Sequence, residues 1–462
     1  MSELPHFDRR MSDAEGLMWR LEKDPYLSSS FANITLLDTK PDFARLLRRM
    51  ERATLLVERL RQRVQSSAIN FSAPIWVDDP DFDIRYHVRH VALPKPGSLR
   101  QLLDYANLVA CDPFDRTRPL WQFVVVDGLR GGKSALIQKL HHTITDGEGG
   151  VRLSLEFLDF ARDAPEPPPV DAATIEASAA HPSAPTSPEV LRDMVMGSLR
   201  LPVGMIRQVR DLLADPTGIP DASSAAADTI RSLMNQLGDT EQAHSPLWTK
   251  RSLRRQIEVL RVPFDPTREA AKHLGGTLNT AFMTAAAEAA SRYHREHDAP
   301  VESLRASMAV STRTEESGAN AFSLVKLMVP TGEMTVSERF QRIQASADQA
   351  KGGSATASLE TIAAVATALP TSLVTRLARQ QAQTVDFATS NVRGAPLPLF
   401  LAGAQILENY PLGPLGGVAF NLTLLSYNGS LDMGVNIDRA AVEHPDTLQR
   451  ALVRAFDDLL EA

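Results

Sequence analysis

At 462 residues, 43% of them hydrophobic and 23% charged, the chain has the composition of a water-soluble globular protein with room for two cores of roughly 200 residues each. Its 49 Lys and Arg against 56 Asp and Glu give a net charge of −7, which removes the electrostatic ground for nucleic-acid binding. No uninterrupted apolar run is long enough to cross a bilayer, and the polar start MSELPHFDRRMSDAEG is unlike a secretory signal, so a cytoplasmic address is expected.

In chain order, residues 40–66 carry Phe43, Leu46, Leu47, Met50, Leu55, Leu56 and Leu60 at helical spacing among many arginines, which predicts a solvated amphipathic helical region. Cys111, the one cysteine, has no disulfide partner in the chain and reads as a buried core thiol. Trp121 to Val126 and Ala135 to Leu140 are β-type runs around the polar break 127–133, and predict paired strands. Val151, Leu155 and Leu158 return to helical spacing. The stretch 163–188, rich in Pro, Ala and Ser, has the composition of a linker. The expected division is therefore an N-terminal domain over 1–162, a linker with an amphipathic helical region over 163–245, and a C-terminal domain over 246–462. The last contains a helix around Phe282, Ala286, Ala290 and Tyr293, and a hairpin turn at Asn428-Gly429. Strands and helices occur in mixed order, which favours an α+β layout in each half.

Chemistry concentrates in His141-His142-Thr143-Ile144-Thr145-Asp146-Gly147, at the end of the second predicted strand. Successive strand side chains point to opposite faces, so only one of the two imidazoles can enter a given cleft. A neutral imidazole is suited to take the proton of an alcohol whose oxygen attacks a thioester carbonyl. Asp146 has two readings, a carboxylate folded back to orient the loop or the N-cap of the following helix. Gly147 leaves room for a close approach.

These residues, with DPDFDIRYHVRHVALPKPG at 79–97, Arg118-Pro119-Leu120-Trp121 and a C-terminal series, carry a resemblance that spans nearly the whole chain. The series is Ser390-Asn391-Val392, Leu401-Ala402-Gly403-Ala404, Tyr410-Pro411-Leu412-Gly413-Pro414-Leu415 and Leu425-Ser426-Tyr427-Asn428-Gly429. The chain resembles the bacterial wax ester synthase/diacylglycerol acyltransferase family, within the wider group of chloramphenicol and carnitine acyltransferases and peptide-synthetase condensation domains. The resemblance implies two similar chloramphenicol-acetyltransferase-like domains with an active-site tunnel between them, and the second histidine, His142, as general base. His141, Asp146 and Gly147 complete the motif. Where the family has Asn-Asp at the start of a helix in the second domain, this chain has Asn279-Thr280. Asn279 is then either an amide donor to the oxyanion of a tetrahedral intermediate or a helix cap. Val310-Ser311-Thr312-Arg313 matches a further family segment, which makes Arg313 either an ion-pair partner of Asp146 or a surface residue.

Three other signals lead elsewhere. Gly132-Lys133-Ser134 lacks the upstream glycine of a phosphate-binding loop and precedes a strand. His294 and His297 have spacing that would suit a metal, but among charged neighbours they read as a solvated helix end. No Gly-x-Ser-x-Gly elbow supplies a serine nucleophile, so direct transfer is expected. The stretch 190–213, apolar with interspersed Arg, suits either a membrane interface or packing on its own domain. The expected activity is acyl transfer from long-chain acyl-CoA, a substrate, to diacylglycerol or a fatty alcohol, without metal or cofactor. Association with the inner membrane or lipid droplets would suit these substrates. The rival readings are condensation with a carrier-bound acyl group and a catalytically idle lipid-binding protein.

Overall fold

The computed structural model describes residues 9–66, 74–170, 245–311, 322–352, 363, 366 and 371–462. Ser12 opens helix α1 (Asp13–Leu21) with a capping box, its hydroxyl accepting from the Glu15 N–H while the Glu15 carboxylate accepts from the Ser12 N–H. Strand β1 (Ser30–Leu37) and helix α2 (Phe43–Leu56), capped by Asp42, follow. A ribbon of β2 (Gln62–Gln65) and β3 (Ile75–Asp78), the single turn α3 (Ile84–His87), β4 (Val88–Ala92) and helix α4 (Leu99–Cys111) lead to the predicted pair β5 (Trp121–Asp127) and β6 (Ser134–His141). Gly131 and Gly132, at φ 77° and 75°, make the turn between that pair, in a region of backbone space that side chains disfavour. Helix α5 (Gly147–Ser154) closes the first half.

The second half runs β7 (Arg255–Pro263), α6 (Phe264–His273), α7 (Leu278–Glu296), β8 (Ser303–Ser311), β9 (Phe322–Pro330), α8 (Val336–Gly352) and α9 (Thr371–Ala382). It ends with β10 (Phe387–Arg393), β11 (Phe400–Leu401), β12 (Ala404–Leu412), β13 (Phe420–Tyr427), β14 (Ser430–Asp438) and α10 (Pro445–Glu461). Asn428 and Gly429, at φ 43° and 81°, turn β13 into β14 as the Asn-Gly pair predicts. Buried Ala281, Ala285, Ala286, Ala289 and Ala290 keep α7 slim enough to pack closely into its core, with Phe282 facing Phe456 of α10.

Two mixed six-stranded sheets result, so the α+β class stands. The first has the order β11-β12-β1-β6-β5-β4, and the second β7-β14-β13-β10-β8-β9. The hairpin β11–β12 thus belongs to the sheet of the first half although it lies in the last quarter of the sequence, which no composition shift signals. Its strand β12 also touches the second sheet. The Asn409 N–H donates to the buried carboxylate of Asp432 on β14 at 2.7 Å, and Arg261 of β7 reaches the same carboxylate at 2.9 Å. Burial pushes the Asp432 pKa up to about 6 even so.

Several sequence expectations change. The helical region expected over 40–66 stops at Leu56, because the chain then turns through Glu58–Leu60 into β2. Its arginines are not merely solvated. Arg45 and Arg49 converge on buried Asp159, and Arg45, Arg49 and Arg52 donate to the carbonyls of Ala164, Pro165 and Pro168. The start of the expected linker is therefore pinned along α2. Cys111 is exposed, since α4 turns Leu102, Leu103, Ala106 and Val109 inward and leaves its last residue outside. His294 is fully buried, not part of a solvated end: its Nε2 meets the Ser245 hydroxyl at 2.7 Å and its Nδ1 the Ala290 carbonyl at 2.7 Å. Among the described residues no group of three or more metal-ligating side chains occurs, and no helix is long and apolar enough to cross a membrane. The stretches 171–244 and 312–321, which include 190–213 and Arg313, lie outside the described residues.

The sheet-to-sheet contact makes a test. A Cβ at Gly434 of β14 would stand 2.1 Å from the Pro411 carbonyl oxygen of β12, where backbone has to retreat. Gly434→Ala is expected to lower stability by about 1–3 kcal/mol through overpacking, read as a lower Tm. An unchanged Tm would mean that β12 is not held against β14.

Candidate active site

The position of the histidine pair is set by β1. Its antiparallel register with β6 places Ser30 opposite His141, and the next residue, His142, donates its backbone N–H to the Ser29 carbonyl at 3.1 Å. A polar row then crosses the sheet toward α5. Asn33 donates to Asn409 and, at 3.2 Å, to Gln138, whose amide donates to the Ser154 hydroxyl at 3.1 Å. β12, β1, β6 and α5 are thus tied by side chains as well as by ladder bonds.

The two imidazoles have different fates. His141 is fully buried. The Thr143 N–H donates to its Nδ1 at 3.1 Å, so the ring proton sits on Nε2, which donates to the Glu22 carboxylate at 3.0 Å. That carboxylate also accepts from the Ser29 N–H at 2.7 Å and the Ser28 hydroxyl at 2.7 Å. Burial opposes the ionised form of Glu22, yet His141, the Ser29 N–H and the Ser28 hydroxyl outweigh it and hold its pKa below the usual carboxylate value. His142 is half-buried, with its ring 4.7 Å from that of Phe31. Strand alternation therefore separates a locked ring from a more accessible one.

Below the motif, Asp146 is the N-cap of α5 and accepts from the Gly149 N–H at 2.8 Å, which is the capping reading of that residue. Glycine at 149 in the first turn of α5 leaves room for Thr145, since a Cβ there would lie 1.8 Å from the Thr145 hydroxyl and displace it. The close approach at Gly147 is to the second half: a Cβ there would come within 2.9 Å of the Val392 side chain on β10. The preceding residue, Asn391, donates its side-chain amide to Asn279. His141, His142, Asp146 and Gly147 are thus one local unit, and the Asn391-Val392 pair of β10 links Asn279 to it.

Asn279 is exposed and does not cap α7, since Thr277 does so by accepting from the Thr280 N–H. Thr280 turns its hydroxyl to Gln344 of α8 at 2.5 Å, so it ties two helices together.

Sequence reasoning missed Glu22, 119 residues from His141, for which no local pattern exists. It also missed Lys139 and Arg116. Lys139 is buried on the strand face it shares with His141, donates to the Asp112 carbonyl, and lies 4.3 Å from the centre of the Phe114 ring. Burial lowers its pKa to about 8. Arg116 stacks 3.5 Å over the Trp19 ring and donates to the Trp19 carbonyl at 3.0 Å. A charged lysine in the strand run Ala135 to Leu140 was the one readable signal among the three.

Comparison with known proteins bears on these residues together. Residues 11–282 match the wax ester synthase/diacylglycerol acyltransferase catalytic domain, and residues 318–460 match the C-terminal domain of the same family. A putative diacylglycerol O-acyltransferase of Mycobacterium tuberculosis is 32% identical over 475 residues, covering 99% of this chain and 93% of that protein. A probable diacylglycerol O-acyltransferase of the same organism is 30% identical over 82% of this chain and 81% of its own length. In fold, the chain is similar to the wax ester synthase/diacylglycerol acyltransferase of Marinobacter aquaeolei, with a TM-score of 0.66, 22% identity, and 97% and 98% of the two chains covered. It is also similar to the first condensation domain of the calcium-dependent antibiotic synthetase, with a TM-score of 0.59, 14% identity, and 100% and 96% covered. With both halves matched, the chain belongs to the wax ester synthase/diacylglycerol acyltransferase family and is an acyltransferase.

Proposed function

We propose that the protein moves a long acyl group from its coenzyme A thioester to the hydroxyl of a neutral lipid, with His142 as the general base. The observation that carries this reading is the different setting of the two histidines. His141 has both ring nitrogens engaged inside the protein, whereas His142 is half-buried at the end of β6. In the proposed step the alcohol oxygen attacks the thioester carbonyl carbon as its proton passes to the His142 imidazole. The tetrahedral intermediate then collapses, the carbon–sulfur bond breaks, and the imidazolium returns the proton to the departing thiolate. Asn279 uses its carbonyl oxygen to accept from Asn391, so its amide N–H groups are the donors it would offer to an oxyanion. The names of the curated relatives favour diacylglycerol as acceptor, with triacylglycerol as product. The Marinobacter protein's name keeps a fatty alcohol, and so wax ester, as the second reading.

His142→Ala is expected to lower kcat by about 10²–10⁴ with the KM for acyl-CoA little changed. His141→Ala should cost less turnover and more thermal stability, because it removes one hydrogen-bond donor from the half-buried carboxylate of Glu22. Radiolabelled acyl-CoA assays with diacylglycerol and fatty alcohols read both. A folded His142→Ala protein with wild-type turnover would exclude the mechanism.

Glu22 sets a pH dependence. Its pKa is depressed in the folded state, so its stabilisation is complete above the ordinary value of 4.5 and is lost as pH falls below it, through the lower folded value. Glu22→Gln should be less stable than wild type at neutral pH, and the gap should narrow as pH drops below 4.5. Thermal melts from pH 7 down to about pH 3, which extend below the unfolded value toward the lower folded one, check this; a constant gap would place the ionised state of Glu22 outside the stability balance.

A further inference from the structure

A cavity of about 250 Å³ opens where the chain between α1 and β1 meets the second half, lined by Tyr26, Leu27, Thr249, Arg251, Arg379 and Gln383 among others. Its charge is one-sided. Arg251 is desolvated by burial, and its guanidinium donates to the carbonyls of Gly417 at 2.6 Å, Trp248 and Lys250. Among the described residues no carboxylate lies within ion-pair distance of it. The acids that act on it from further off are committed elsewhere: Asp438 pairs with Arg255 at 3.3 Å, and Asp386 accepts from the backbone N–H groups of Ser245 and Arg305. Arg379 pairs with Asp24 and lies 4.4 Å over the Tyr26 ring, which directs a second guanidinium to the same space. Two cations and one acid leave a net positive charge, and a desolvated guanidinium without a carboxylate gains most from an anion that reaches it.

The cavity also lies close to the histidine motif. Leu27, one of its walls, is two residues before Ser29, whose carbonyl holds the His142 N–H. Two residues span no more than about 7 Å. We propose that this cavity is a phosphate subsite, in which Arg251 and Arg379 take phosphoryl groups of the coenzyme A thioester while its acyl end lies at His142. The assignment rests on the acyl-CoA reading above and adds to it where the phosphates go. Thr249 and Gln383, both exposed on the rim, are neutral groups past which a phosphorylated chain would run.

The chemistry recognised is a phosphoryl anion, which coenzyme A, inorganic phosphate and a phospholipid headgroup share, so the test separates the sources. Calorimetric titration of the full-length protein would use coenzyme A, pantetheine, which has the same arm without phosphates, and inorganic phosphate. Gln383→Glu and, independently, Thr249→Glu place a negative charge at the rim without removing any hydrogen bond of the arginines. Each is expected to raise the Kd for coenzyme A about tenfold, leaving pantetheine binding and Tm unchanged. A wild type that binds coenzyme A no more tightly than pantetheine overturns the subsite, as do folded variants that bind coenzyme A like wild type. Weakened inorganic phosphate binding beside unaltered coenzyme A binding overturns the assignment to substrate and gives the cavity to another anion. Because binding is read without turnover, a protein that holds coenzyme A here yet transfers no acyl group keeps the subsite and excludes the acyl-CoA reading instead.

Discussion

Strand β1 has hydrogen-bonding partners on both edges, and the geometry of the site depends on that. One edge pairs with β6 and sets the depth at which His141 and His142 emerge; the other pairs with β12, brought in from the far end of the chain. A one-residue slip of β6 against β1 would exchange the faces of its side chains and bring His142 into the place of His141. The polar row from Asn409 through Asn33 to Gln138 resists such a slip, since it aligns in only one register.

The crossing hairpin also explains how the two halves act on one another. β12 belongs to the first sheet, yet it lies against Gly434 and Asp432 of the second, with a backbone approach that only glycine permits. On the other side of the seam, Val392 of β10 fills the space that Gly147 leaves open. Both contacts rely on the absence of a side chain, and ion pairs such as Asp24–Arg379 and, at 2.6 Å, Arg100–Glu258 join the halves beside them.

Electrostatically, the region beneath the histidines is unusual for a chain of net charge −7. Glu22 lies near Arg116 and Lys139, while Arg251, Arg255 and Arg379 gather around the adjacent seam. Net charge describes solubility and long-range attraction, whereas local sign is decided by which side chains the fold gathers. The acidic total and the cationic seam are therefore compatible.

Much was legible from local pattern. The β5–β6 pair, the Asn428-Gly429 hairpin, the helix carrying Phe282 and Ala286, and the opposite faces of His141 and His142 follow from alternation, turn chemistry and 3.6-residue spacing, which act over a few residues. The family resemblance added the two-domain architecture. Hidden were the partner of His141, the inward turn of Arg49, the exposure of Cys111, the burial of His294, and the passage of Phe400–Leu412 into the first sheet. Each of these depends on which distant surface covers a residue, and that is chosen by the summed packing of the folded chain. Spacing determines which way a side chain points along its own element; only tertiary structure decides what it meets there.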